Sequence, residues 1–121
     1  MSEQPSVKGV VLYPDGTYTE QVFNNITDYN NAVGGYIEIL HLKGASAYIN
    51  ENGKLLDLEL NDQATLVALL SGCISYWDNI KGNMIILGTD NGEGYDTDIS
   101  DYWLATVKNF WQPKVEESAS K

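Results

Sequence analysis

Gly34-Gly-Tyr-Ile-Glu-Ile-Leu-His-Leu-Lys-Gly-Ala-Ser-Ala-Tyr-Ile-Asn-Glu-Asn-Gly-Lys-Leu-Leu-Asp-Leu-Glu-Leu60 is the stretch around which the chain is organised. It reads as a three-stranded antiparallel meander. In the first strand Ile37, Ile39 and His41 face one way and Tyr36, Glu38, Leu40 and Leu42 the other. Apolar residues on both faces suit a strand interior to a sheet. Lys43-Gly44 gives the first turn, since glycine tolerates positive φ. Ala45 to Asn50 returns, and Asn52-Gly53 predicts a second hairpin turn, because a type I′ turn needs positive φ at both central residues. Lys54 to Leu60 then alternates, with Leu56, Leu58 and Leu60 inward and Asp57 and Glu59 outward; only Leu55 breaks the pattern.

Working outward, Val7 to Tyr13 is a β-branched apolar run, Pro14-Asp15-Gly16 a turn, and Thr17 to Phe23 an alternating strand, so the two form a hairpin. Asn25 or Thr27 can cap a short helix through Ile26, Tyr29 and Val33 that ends at Gly34-Gly35. A helix before the glycine pair and a strand after it is the reverse of a phosphate-binding loop. Asn61-Asp62 opens a second helix whose stripe is Leu66, Leu69, Leu70, Cys73, Ile74 and Trp77, kinked or ended at Gly72. Met84 to Leu87 is a short apolar strand, and Gly88 to Gly94 an acidic, glycine-rich loop. Asp98 or Ser100 caps a final helix with the stripe Ile99, Tyr102, Trp103, Thr106, Val107, Phe110 and Trp111, closed by Pro113.

The expected class is therefore α+β: a mostly antiparallel sheet of about six strands with two or three helices, in the order ββαβββαβα. Residues 1–6 read as a flexible leader, 7–112 as one domain and 113–121 as a disordered tail.

Four short motifs follow one another: Val33-Gly-Gly-Tyr-Ile-Glu, Tyr48-Ile-Asn-Glu-Asn-Gly-Lys-Leu, Asn61-x-x-Ala64-Thr65 and Ile80-Lys-Gly-Asn-Met-Ile-Ile-Leu-Gly88. As an ordered set over residues 8–101 they resemble one small family, a domain of unknown function met mainly in bacteriophage and plasmid-like genomes. The resemblance implies a phage accessory protein, cytoplasmic in the infected bacterium, with no established activity and no catalytic residues. The aromatic segment Tyr102 to Trp111 would lie beyond it, so a function placed there would belong to this chain alone.

Composition excludes several classes. The 121 residues carry seven lysines, no arginine and 17 acidic residues, a formal charge of −10. Without arginine the best phosphate donor is missing, which disfavours direct nucleic-acid binding and anionic membranes. The sharper reading of this acidity is a face that docks on a basic partner. No apolar run approaches the ~20 residues of a membrane span, and Met1 to Ser6 has no signal-peptide pattern. A lone Cys73 excludes an internal disulfide and fits a reducing compartment.

No catalytic complement emerges. His41 is the single histidine, so neither a hydrolytic triad nor a zinc site has its usual partners. Cys73 on an apolar stripe behaves as a small hydrophobe. Asp90, Glu93, Asp96 and Asp98 form an acidic loop that offers calcium oxygen ligands but lacks EF-hand spacing. No cofactor is expected. Aromatics crowd the last third of the chain, at Tyr76, Trp77, Tyr95, Tyr102, Trp103, Phe110 and Trp111. In the adjacent pairs Tyr102-Trp103 and Phe110-Trp111 one ring should lie near the edge of the buried stripe, where exposed rings serve as interface anchors. Tyr95, Tyr102, Trp103, Phe110 and Trp111 are thus the candidate protein-contact residues.

The expected function is a non-enzymatic accessory protein that binds, and so inhibits or sequesters, a host defence factor, with self-association as a homodimer also open. The alternative is a small-molecule binder holding a nucleotide-like ligand between the sheet and the C-terminal helix, with Lys54 or Lys81 against its charge. An enzyme acting through the loop carboxylates is the third reading.

Overall fold

Met84–Leu87 is apolar at every position, and a strand with apolar residues on both faces is most stable where both faces are covered. In the computed structural model, which describes residues 6–75, 78–89 and 96–114, this strand (β5) lies at the centre of the sheet. The other elements are β1 (Val7–Leu12), β2 (Thr17–Phe23), α1 (Ile26–Val33), β3 (Ile37–Leu42), β4 (Ala45–Asn50), α2 (Asp62–Leu70), α3 (Asp101–Phe110) and β6 (Gln112–Pro113). The sheet runs β3-β4-β5-β1-β2-β6 and is antiparallel except for the short parallel pair β2–β6. This is the expected α+β architecture of six mostly antiparallel strands and three helices.

Alternation along β5 divides the core in two. Met84 and Ile86 join Val10, Leu12, Tyr18 and Ala47 beneath α2 and α3, where Trp103, Val107 and Trp111 complete one cluster. Ile85 and Leu87 join Val7, Val11, Phe23 and Tyr48 beneath Tyr29 and Val33 of α1. Phe23 stacks on Tyr29 at 5.0 Å between centroids, and Tyr48 meets Tyr29 edge-on at 4.8 Å.

Each helix has a side-chain cap. Asn25 Oδ1 accepts from Asp28 N (3.0 Å), while the Asp28 carboxylate accepts from Asn24 N (2.7 Å). Ser100, rather than Asp98, caps α3, accepting from Trp103 N at 3.2 Å. Asn61 does more than cap α2. Its Oδ1 accepts from Ala64 N (3.2 Å), and its Nδ2 donates to Leu12 O (3.2 Å) and Gly82 O (3.0 Å), all within the buried core.

Three expectations are corrected. Lys54 to Leu60 is not the third strand of a meander. Residues 51–57 coil through successive turns, with Leu56 N bonded to Asn52 O and Leu58 N to Gly53 O, and Leu60 makes only an isolated bridge to Lys81. The place beside β4 is taken by β5, with Ala47 opposite Ile86. A central strand is covered on both faces, which Asp57 and Glu59 cannot be without losing hydration, whereas Met-Ile-Ile-Leu can. Consequently β3 is an edge strand and not an interior one. On α2 the buried residues are Ala64 and Ala68, while Leu66 and Leu70 are exposed. The two small side chains are the ones turned into the core, and Leu66 and Leu70 point away from it. At the C-terminal end, Gln112–Pro113 pairs with β2, and Lys114 N continues the pairing to Tyr18 O at 2.9 Å.

Asn61 is the cap whose amide cannot be replaced by another acceptor. Asn61→Asp keeps the cap but sets a carboxylate against two carbonyls, and is expected to cost about 2–4 kcal/mol in urea unfolding. Asn25→Ser, which replaces one acceptor with another at an exposed cap, should stay within about 0.5 kcal/mol of the parent.

Candidate functional site: an apolar groove between two helices

The α2 sequence Asp-Gln-Ala-Thr-Leu-Val-Ala-Leu-Leu is apolar nearly all round, so whichever face it buries, leucines remain outside. In α3 the register is sharper: Trp103 and Val107 are buried, and Trp111 follows them into the core just past the helix end. Tyr102 and Phe110 are left on the outside. Each adjacent aromatic pair is thus split, the indole inward and its neighbour outward, as the ~100° step between consecutive helical residues requires.

Between the two helices lies a groove of about 540 Å³. Trp103 and Trp111 form its floor, Leu66, Val67 and Leu70 one wall, and Tyr102 and Phe110 the other. The rim side chains keep much of their surface in water: Leu66 54%, Leu70 80%, Tyr102 73% and Phe110 63% exposed. Gln63 Nε2 donates to Phe110 O at 2.5 Å, tying the start of α2 to the end of α3. Trp103 Nε1 donates to Lys43 O at 2.8 Å, anchoring the start of α3 to the β3–β4 turn. Among the described residues Lys43 is the one charged residue that lines the groove. The Trp111 indole N–H is buried with no acceptor among the described residues.

The other candidates are dispersed. Asp96 accepts hydrogen bonds from Tyr29 OH (3.1 Å) and Tyr48 OH (2.6 Å), so its carboxylate fastens the segment before α3 to the aromatic cluster under α1. Asp98 Oδ1 accepts from Lys8 N at 2.8 Å. Both carboxylates are thereby engaged in holding the fold. Asp90, Glu93 and Tyr95, like Tyr76 and Trp77, lie outside the described residues, among which no group of three or more His, Cys, Asp or Glu side chains could hold a metal ion. His41 is exposed on β3. No helix among the described residues is long and apolar enough to cross a membrane.

A second, smaller hollow of about 140 Å³ between β3, β4 and the 53–81 region contains Lys54 and Lys81, the two cations considered for an anionic ligand. Lys54 is paired with Asp78, and Lys81 Nζ lies 3.2 Å from Asp57 Oδ1. The Lys54 hydrogen bond holds the Asp78 carboxyl below the usual carboxylate range. Both lysines are therefore spent on neighbours, and the space is below that of an ordinary small-molecule site.

What the sequence reading missed is the outward placement of Leu66 and Leu70. The signal was Ala64-x-x-x-Ala68, two small residues one helical turn apart, which marks the close-packed face and makes the leucines the far side.

Compared with known protein families, the chain matches the domain of unknown function DUF3846 over residues 7–112, and it belongs to that family. The match includes α3, so Tyr102 to Trp111 is part of the family domain and not an extension peculiar to this chain. Neither curated proteins nor solved structures gave a match.

Cys73 lies beside this region with Sγ 3.4 Å from Ala68 O, and burial pushes its thiol pKa up. Less thiolate is present at a given pH in the folded chain than in the unfolded one. Iodoacetamide labelling at pH 8 should therefore be several-fold slower for native protein than in urea.

Proposed function

We propose that this family member is a non-catalytic accessory protein that acts by binding, and that the α2–α3 groove receives apolar side chains of a partner protein. One observation carries the reading: four large apolar side chains, Leu66, Leu70, Tyr102 and Phe110, stand exposed around a single hollow of about 540 Å³. Contiguous exposed apolar surface of this kind is uncommon away from interaction sites, and aromatic side chains are favoured anchors. Two helices of nine and ten residues give a groove long enough for two to three turns of an amphipathic helix. The charge of −10, with no arginine, favours a partner with a basic surface and speeds encounter with it. In the phage setting that the motifs resemble, such a partner is a host defence factor, held inactive by the complex.

A small apolar ligand in the same groove is the second reading, favoured by a volume within the range of ordinary ligand sites. The nucleotide-like version has less support, because Lys54 and Lys81 are ion-paired.

The test must avoid the indoles. Trp103→Ala or Trp111→Ala removes core volume and is expected to cost about 3–5 kcal/mol, so loss of binding there would report unfolding. Leu70→Asp and Phe110→Ser alter exposed positions and should keep the parent melting temperature to within a few degrees. Each is expected to abolish recovery of a stoichiometric partner in affinity capture. Unchanged recovery with both variants would refute the groove reading, and a metabolite released on denaturing the pure protein would favour the second one.

A further inference from the structure

The sheet has two ends, and they are built differently. At one, β6 is two residues long and contains Pro113, a short and proline-bearing edge of the kind that resists further pairing. At the other, β3 runs for six residues without proline, and nothing among the described residues pairs with its outer side.

The hydrogen-bond phase of β3 follows from its partner. Glu51 N donates to Tyr36 O at 3.0 Å, and the register places Glu38 opposite Ile49, Leu40 opposite Ala47 and Leu42 opposite Ala45. In an antiparallel pair, hydrogen-bonded positions recur every second residue. Tyr36, Glu38, Leu40 and Leu42 therefore point their N–H and C=O groups toward β4. Those of Ile37, Ile39 and His41 point out at the open edge. The side chain of Ile39 is half exposed beside them.

We infer that β3 is a homotypic pairing edge: two copies of the chain join their sheets through antiparallel β3–β3 pairing about a two-fold axis at Ile39. In that register Ile39 faces Ile39 of the second copy and Ile37 faces His41, so all three outward residues lie opposite residues whose N–H and C=O groups also point outward. Glu38 falls opposite Leu40, and no like charges meet across the seam. Centring the axis on Glu38 would oppose two carboxylates, and centring it on Leu40 would leave Ile37 opposite the turn residue Lys43. The pairing is independent of the α2–α3 groove. Strand pairing alone buries less than the ~1,600 Å² of a standard interface, so the dimer forms at high concentration and exchanges readily. Two bodies of charge −10 repel one another, so salt strengthens the contact instead of weakening it.

Sedimentation equilibrium on the full chain, up to millimolar concentration, tests this. Raising salt from about 0.01 M to 1 M shortens the screening length from ~30 Å to ~3 Å and should tighten the dimer roughly tenfold or more. Amide exchange at Ile37, Ile39 and His41 should slow with dimer formation, while Glu38 and Leu40 are protected at every concentration. Ile39→Pro removes an outward N–H that β4 does not use, and should give a folded monomer. Ile39→Lys keeps the N–H and opposes two ammonium groups at the axis, so it too should be monomeric even if the proline variant folds poorly. A wild type that stays monomeric at millimolar concentration in high salt overturns the inference. So does a dimer that persists in Ile39→Lys, or one in which the three outward amides still exchange freely.

Discussion

Asn61 fastens the start of α2 to the sheet by side-chain bonds that strand pairing cannot supply. Its backbone N–H reaches Ile80 O, its side-chain oxygen caps α2, and its side-chain amide closes onto Leu12 at the end of β1 and Gly82 before β5. Thr65, one turn into the helix, extends the same knot: its Oγ1 donates to Asn61 O and accepts from Ile80 N at 2.8 Å each. A buried carboxamide with every bond satisfied is worth more through the cost of its loss than through its net contribution. The position of α2, and with it one wall of the groove, depends on that residue.

Much of this was legible in the chain, and the reason differs by element. Asn25, Asn61 and the glycines after α1 and α2 act through local backbone chemistry, which a sequence carries directly. The N-terminal hairpin and the buried run Met84–Leu87 were equally plain. The 54–60 segment misled because alternation identifies a strand only where a partner is available, and β5 competed for the same edge of β4. The exposed Leu55 and Leu56 are the residue of that competition.

At the groove, periodicity found the right helix but not the division of labour within it. A stripe that includes both residues of Tyr102-Trp103 and of Phe110-Trp111 cannot bury all four rings, and tertiary packing decided the split in favour of the indoles. The acidic loop was legible as a cluster of charge and not as a set of hydrogen bonds, since the phenols of Tyr29 and Tyr48 that meet Asp96 come from distant elements. For Lys54 and Lys81 the same holds: their acidic neighbours are found only once the chain has folded.

The central position of β5 has a consequence for how the molecule is made. Both hairpins, β1–β2 and β3–β4, pair residues that are neighbours in the chain and can form early. Neither is joined to the other until Met84–Leu87 is inserted, with Leu12 on one side and Tyr48 on the other. During synthesis the two hairpins emerge and must wait, separately, for a strand made late. Because loops of that length must close before any reward is collected, insertion of β5 is the expected slow step of folding. Until then the unfilled edges of β1 and β4 are the surfaces on which a misplaced strand could settle.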